Sequence, residues 1–181
     1  DVIAINQKLT PLNAADLVAA ADIVLDCADS FAASYILSDI CHDTATAFIS
    51  ASALGMAGYV GGFCNTAPSL RAVFPDLPQN LASCSTAGVL GPVVGVLGSM
   101  QAQMALAIAL GLSPSPLGQL IRYDAGNMRS SHFRFDNAPE PETAYGFVDA
   151  SEIRDDDFVV DLRDKNEAPV PVTPNALRFD V

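Results

Sequence analysis

The chain has 181 residues, half of them hydrophobic, enough to bury one core of ordinary size and a small appendage. Its 21 acidic against 9 basic residues give a formal charge of -12, which excludes a nonspecific nucleic-acid binder, because a phosphate backbone is neutralised by clustered Lys and Arg. The four cysteines, Cys27, Cys41, Cys64 and Cys84, contain no C-x-x-C pair, which argues against a ribbon-type zinc site and for free thiols in a reducing, cytoplasmic compartment.

No basic region followed by an apolar run opens the chain, so no secretory signal is expected. Residues 2–5 read as the end of a strand. After Pro11, Asn13 to Asp16 reads as the start of a helix over 13–20, with a carboxylate in its first turn. Residues 22–27 form a short branched apolar run without alternation, the pattern of a strand covered on both faces in a parallel sheet. A helix follows over 31–42, ending at His42, whose ordinary role there is to face the helix dipole. Residues 47–51 read as a second buried strand and 58–63 as a third, weakened by its glycines. Strand alternating with helix predicts an α/β fold with a mostly parallel sheet.

Residues 64–85 contain several prolines and Cys84, and read as a long crossing loop, a length at which loops are usually functional or mobile. From Leu77 to Ile121 there is no Asp, Glu, Lys or Arg, so this stretch is expected to be buried. Within it, 87–112 reads as one long apolar helix. Its length and the G-x-x-x-G spacing of Gly91 and Gly95 also suit a membrane span. Pro92, Gln101, Gln103 and the glycines dilute the run and no basic cluster flanks it, which favours a buried central helix and no membrane partner. Residues 120–123 and 132–135 read as a closing, antiparallel pair of strands, the second alternating as an exposed antiparallel edge does, with His132 solvated. The prolines of 137–142 mark a boundary, giving a main domain over 1–137 and an acidic extension over 138–181.

Three stretches carry a resemblance to a known family. Asp26-Cys27-Ala28-Asp29-Ser30, at the end of a buried strand, resembles the D-C-T-D-N of the ThiF/MoeB/HesA family, the ubiquitin-activating-enzyme-like adenylyltransferases. The stretch from Cys84 to Ala102, C-S-T-A-G-V-L-G-P-V-V-G-V-L-G-S-M-Q-A, follows that family's C-x-x-A-G-V-x-G-P-x-x-G-V-x-G-S-x-Q-A. More weakly, Ala51 to Gly58 and Ile121 to Ala125 resemble its S-G-A-x-G-x-x-G strand entry and its closing y-D-a.

The resemblance implies the C-terminal half of a Rossmann-like domain, packed with a long buried apolar helix. For the parent protein it implies ATP-dependent adenylylation of the C-terminal carboxylate of a ubiquitin-like sulfur carrier, of the thiamin or molybdopterin type, by a homodimer using Mg-ATP. Asp29 matches the magnesium ligand; read from the residues alone, Asp29 or Ser30 would instead cap the helix that follows. Cys84 matches the thiol that accepts the activated acyl group or delivers sulfur, and the residue-level alternative is a plain loop thiol. Arg71, in Ser69-Leu70-Arg71-Ala72, matches the Arg of the family's C-Y-R-C and would face the carrier or the partner subunit. Asp124 either caps a turn or helps hold the carrier's tail.

Departures from the family pattern narrow these expectations. The C-Y-R-C pair that helps hold a structural zinc has become Ser69 and Ala72, and no Cys follows Asp124, so zinc is not expected. Ser34, Met104 and Ala107 replace an Arg, a Glu and a Lys of the family. The G-x-G-x-x-G turn is absent, so the chain is expected to be an incomplete portion of a longer polypeptide, inactive alone. In the acidic extension, Phe158-Val159-Val160-Asp161-Leu162-Arg163 to Glu167 resembles the opening of a rhodanese-like domain, v-D-x-R-x-x-x-E. No sulfurtransferase activity is expected from that stretch, which stops before a rhodanese cysteine. The rival reading of the whole is a non-catalytic scaffold or dimerisation module derived from the family.

Overall fold

The computed structural model describes residues 1–76, 88–163, 165–166 and 168–179. Helix α1 (Pro11–Ala19) begins at Pro11, where a missing N–H costs nothing, and the Asn13 side chain accepts the Thr10 N–H at 2.9 Å. Strand β1 (Ile23–Asp26) leads into α2 (Phe31–Asp43), whose N-terminus is capped by the Ser30 hydroxyl accepting from the Ala33 N–H. The chain continues through β2 (Ala47–Leu54), β3 (Ala57–Phe63), the short α3 (Leu70–Val73), α4 (Gly91–Ala109), β4 (Gln119–Asp124) and β5 (Arg129–Arg134).

The sheet runs in the order β1-β2-β3-β4-β5. Its parallel part is the β1–β2 pair, joined by the right length of crossover in α2; the three other pairings are antiparallel, so the α/β fold has a mixed sheet. The switch happens at the two-residue connection Gly55-Met56, where Gly55 takes φ +59, and a connection that short joins only antiparallel neighbours. Residues 2–5 make no strand: Val2 is 95% exposed and Ile3 86%, and no described strand pairs with them.

Helix α4 covers one face of the sheet. Val93, Leu97, Gln101 and Met104, at helical spacing, lie buried against Ile49 and Val60. A Cβ on Gly58 would stand 2.5 Å from the Leu97 side chain, so glycine lets the helix close on β3. Phe48, next to Ile49 and therefore pointing to the other face, meets Phe63 at 6.3 Å between rings. The long apolar helix is present, but only this stripe is buried; Val94 and Leu106 on its remaining surface, and Leu110 just after it, are exposed. By length and composition alone it would also pass as a membrane span.

Two compact units divide at Gly146, Asp1–Gly146 and Phe147–Val181, later than the expected boundary at 137. The reason is chemical: the Glu140 carboxylate is bonded to Ser69, and the Tyr145 carbonyl accepts from Arg71, so the segment after β5 is tied into the first unit. The second unit pairs β6 (Val160–Asp161) with β7 (Leu177–Arg178) in parallel. Its centre is the carboxylate of Asp161, 4% exposed, which accepts from the Arg163 side chain at 2.9 Å and from Arg178 at 3.2 Å.

Candidate active site

Ligands of open α/β sheets gather beyond the carboxyl ends of parallel strands, and here that edge is the end of β1. Asp26, the last residue of β1, is 2% exposed; Oδ1 accepts the Ala28 N–H at 3.0 Å and Oδ2 accepts the Ser50 hydroxyl at 2.8 Å. Ser50 in turn lies 3.5 Å from the Tyr59 hydroxyl. Burial pushes the Tyr59 phenol up to about 12, so it stays protonated and can donate.

From the other face, Gln101 of α4 reaches under the same turn. Its amide nitrogen donates to the carbonyls of Asp26 at 2.8 Å and Ile49 at 2.9 Å, and its oxygen accepts the Cys27 thiol at 3.4 Å. Motif matching picks up Gln101, but its role as a clamp across two strands is not expected from sequence. The available signal is its place on the stripe of Val93, Leu97 and Met104, where a polar side chain must find partners.

Asp29 follows this clamped turn and is exposed, on the ridge between two clefts. One, of ≈ 260 Å³, is lined on the α2 side by Phe31, Ser34, Tyr35, Tyr59 and Phe74. The other, of ≈ 190 Å³, lies on the α4 side against Cys27, Ala53, Val94, Leu97 and Gly98. Ser30, not Asp29, supplies the helix cap, and among the described residues the Asp29 carboxylate takes no hydrogen bond. The described residues contain no group of three His, Cys, Asp or Glu able to hold a metal by themselves. A single free carboxylate fits magnesium, which keeps waters and takes substrate phosphates for its other positions.

The remaining expected residues fare differently. Cys84 lies outside the described residues. Arg71 is turned inward, 8% exposed, with Nε donating to Asp39 at 2.6 Å, Nη2 to the other Asp39 oxygen at 2.8 Å and to the Tyr145 carbonyl at 3.2 Å. Its guanidinium also lies 4.9 Å from the centre of the Tyr35 ring. Arg71, expected to face a carrier or a second subunit, is held in this chain by Asp39 on α2 and the carbonyl after β5, on the wall of a cleft shared with His42 and Glu140. Asp124 caps its own turn, accepting from the Asn127 amide at 2.9 Å. At the position of the family's zinc pair, the Ser69 hydroxyl is bonded to Glu140 beside this buried cation, a donor set that does not fit zinc.

The three described cysteines are free thiols. Cys41 and Cys64 are buried and pushed up to about 12 by desolvation. Cys27 is exposed, yet its thiol is also raised, by desolvation and by the neighbouring Asp26 carboxylate. None of these three is set up as a thiolate nucleophile at neutral pH.

Residues 1–144 match the model of the ThiF family. The adenylyltransferase and sulfurtransferase MOCS3 of Bos taurus is 42% identical over 138 residues, covering 71% of this chain and 29% of that protein. The sulfur carrier protein ThiS adenylyltransferase of Escherichia coli (strain K12) is 38% identical over 135 residues, covering 72% of this chain and 51% of that protein. The chain thus spans about half or less of the curated relatives it matches. Among solved structures, E. coli MccB with MccA-N7isoASN superposes with a TM-score of 0.60 at 16% identity, over 76% of this chain and 44% of that one. MccB with ATP gives 0.55 at 14% identity, over 72% and 42%. At such identities the likeness is one of fold.

Proposed function

Because the chain belongs to the ThiF family, we propose that the full-length protein adenylylates the C-terminal carboxylate of a ubiquitin-like sulfur carrier at the expense of ATP. The carboxylate attacks the α-phosphate, its oxygen bonds to phosphorus, and pyrophosphate leaves as the acyl adenylate forms. Magnesium, when bound, neutralises the phosphate charge; Asp29 is the residue that holds it. The Cys84 thiolate then attacks the activated carbonyl, forming a thioester as the carbonyl–phosphate bond breaks and AMP leaves. The chain itself is a portion of this enzyme, and alone it is inactive, because catalysis here is positioning and charge neutralisation by groups that must all be present.

The observation that carries this reading is the free, exposed carboxylate of Asp29 on the ridge between two clefts, beyond the carboxyl end of β1. The names of the MOCS3 and ThiS-adenylyltransferase relatives support the carrier as the substrate class. The reading includes a cytoplasmic homodimer. The exposed apolar side chains Val94 and Leu106 of α4, with Leu110 just after it, are what a second copy would cover. It also includes a rhodanese-like continuation of the second unit. In its favour are the Asp161–Arg163 pair and the sulfurtransferase in the bovine relative's name.

The test is ATP–pyrophosphate exchange by the full-length protein with a ubiquitin-like carrier ending in Gly-Gly, beside its Asp29→Ala variant. Exchange that needs the carrier and collapses in the variant is the expected result. A folded protein with no exchange would mean a scaffold or dimerisation module.

A further inference from the structure

Asp26 is a buried carboxylate that, among the described residues, no Lys, Arg or His neutralises; its partners are an N–H and a hydroxyl. Such a group is costly to keep in a core, and its retention calls for a task. What its two oxygens do is local. Oδ1 fixes the Ala28 N–H, one residue before Asp29, and Oδ2 is locked by Ser50 of β2. On the opposite side of the same peptide, Gln101 spends both amide protons on the Asp26 and Ile49 carbonyls, joining the end of β1 to β2 from beneath. Its remaining acceptor takes the Cys27 thiol. Every polar atom of residues 26–28 that these bonds reach is held from one face or the other, and the next residue is the free carboxylate.

A helix that needed only to pack on the sheet would be served by an apolar side chain at this point, as Val93, Leu97 and Met104 serve on the same stripe. We propose that Gln101 is a positioning residue for Asp29, acting through the backbone of Asp26 and Cys27, and that Ser50 is its counterpart on the other face. The pair of clamps sets the direction in which the Asp29 carboxylate leaves the sheet, and so the affinity of the site for a divalent cation on nucleotide phosphates. This rests on the magnesium reading of Asp29.

The experiment is a magnesium titration of the full-length protein, read by calorimetry of magnesium binding in the presence of ATP and by carrier-dependent ATP–pyrophosphate exchange, comparing wild type with Gln101→Met, Gln101→Glu, Ser50→Ala and Asp29→Ala. Gln101→Met keeps the length of the side chain and removes both donors; Gln101→Glu keeps the acceptor for Cys27. Both should raise the half-saturating magnesium concentration by about 10–100-fold, the usual effect of losing a group that orients a metal ligand, with the rate at saturating magnesium little changed. Ser50→Ala should shift it in the same direction, and it carries the test if the Gln101 variants fail to fold. Folded variants at both positions with wild-type magnesium dependence, beside an Asp29→Ala protein that has lost exchange, would overturn the clamp and leave the magnesium reading standing. Wild-type magnesium dependence in Asp29→Ala would overturn both.

Discussion

Glu140 holds the start of α3 with both of its oxygens: Oε1 accepts the Ser69 N–H at 2.7 Å and Oε2 accepts the Ser69 hydroxyl. Ser69 is 3% exposed, and its hydroxyl also accepts the Arg71 N–H at 3.1 Å, so one acidic side chain after β5 organises the whole turn. The clasp joins two stretches at which, by the family resemblance, cysteine pairs would share a zinc ion. It places α3, and with it Leu70 and Phe74 on the wall of the larger cleft.

Replacing Glu140 by Ala leaves the buried Ser69 N–H without its acceptor, and should destabilise the first unit by roughly 1–2 kcal/mol. Glu140→Gln, which retains one acceptor oxygen, should lose less. Denaturant unfolding followed by circular dichroism measures both. EDTA should leave the wild-type midpoint where it is, because no thiolate donors stand at the clasp; a midpoint lowered by EDTA would show that a metal holds this region after all.

Arg71 and Asp39 form a second tie, this one between α2 and α3. Arg71→Ala removes a bidentate pair and the bond to the Tyr145 carbonyl, and should cost roughly 2–3 kcal/mol, discounted from a deeply buried pair because Asp39 is partly solvated. Arg71→Lys should rescue only part, since an ammonium cannot make the forked contact. Carrier affinity of the folded full-length Arg71→Lys protein, measured by calorimetry, should be unchanged. A large loss of affinity at preserved stability would support the partner-facing role that the family resemblance implies for Arg71.

These ties explain which parts of the fold are legible from the sequence. Strands β1 and β2 announce themselves as branched apolar runs, and α4 as an uncharged stretch, because burial on a sheet face leaves a local signature. The turn at Gly55-Met56 does not, since the residues around it match no short hairpin signal, and so the reversal between β2 and β3 goes unread, whereas the antiparallel edge at β5 shows in its alternation. The pairing of Arg71 is not legible for a different reason: its partners Asp39 and Tyr145 are distant in sequence. Gln101 is legible as a motif position, while its clamp on Asp26 and Ile49 belongs to the packing of α4. Asp29 and Ser30 were separable only by geometry, which gives the cap to Ser30 and leaves the carboxylate of Asp29 free.

The thiols should rank by environment. At pH 7.5 in the native protein, iodoacetamide should leave Cys41 and Cys64 unmodified, as both are buried with pKa values pushed up to about 12. Cys27 should react slowly and faster as pH rises past the ordinary thiol range, because burial and Asp26 raise its pKa. Under the proposed role of Cys84, that residue should react first. Peptide mapping by mass spectrometry gives the order, and modification of Cys27 ahead of Cys84 would count against Cys84 as the activated thiol.

Acid should weaken the second unit through Asp161. Hydrogen bonds from Arg163 and then Arg178 hold its carboxyl well below the usual carboxylate range, so the folded state binds its proton less readily than the unfolded chain. The stability this confers is therefore complete above the unfolded value of about 3.9 and is lost progressively as pH falls below it, toward the depressed folded value. Amide exchange over β6 and β7 should accordingly accelerate between about pH 4 and pH 2, beyond the intrinsic pH dependence of exchange. Asp161→Asn should weaken protection already at pH 7 and flatten its acid dependence, because the replacement cannot ionise. Protection of β6 and β7 in wild type that stays constant down to pH 2 would mean that the Asp161–Arg163 pair contributes nothing to holding these strands together.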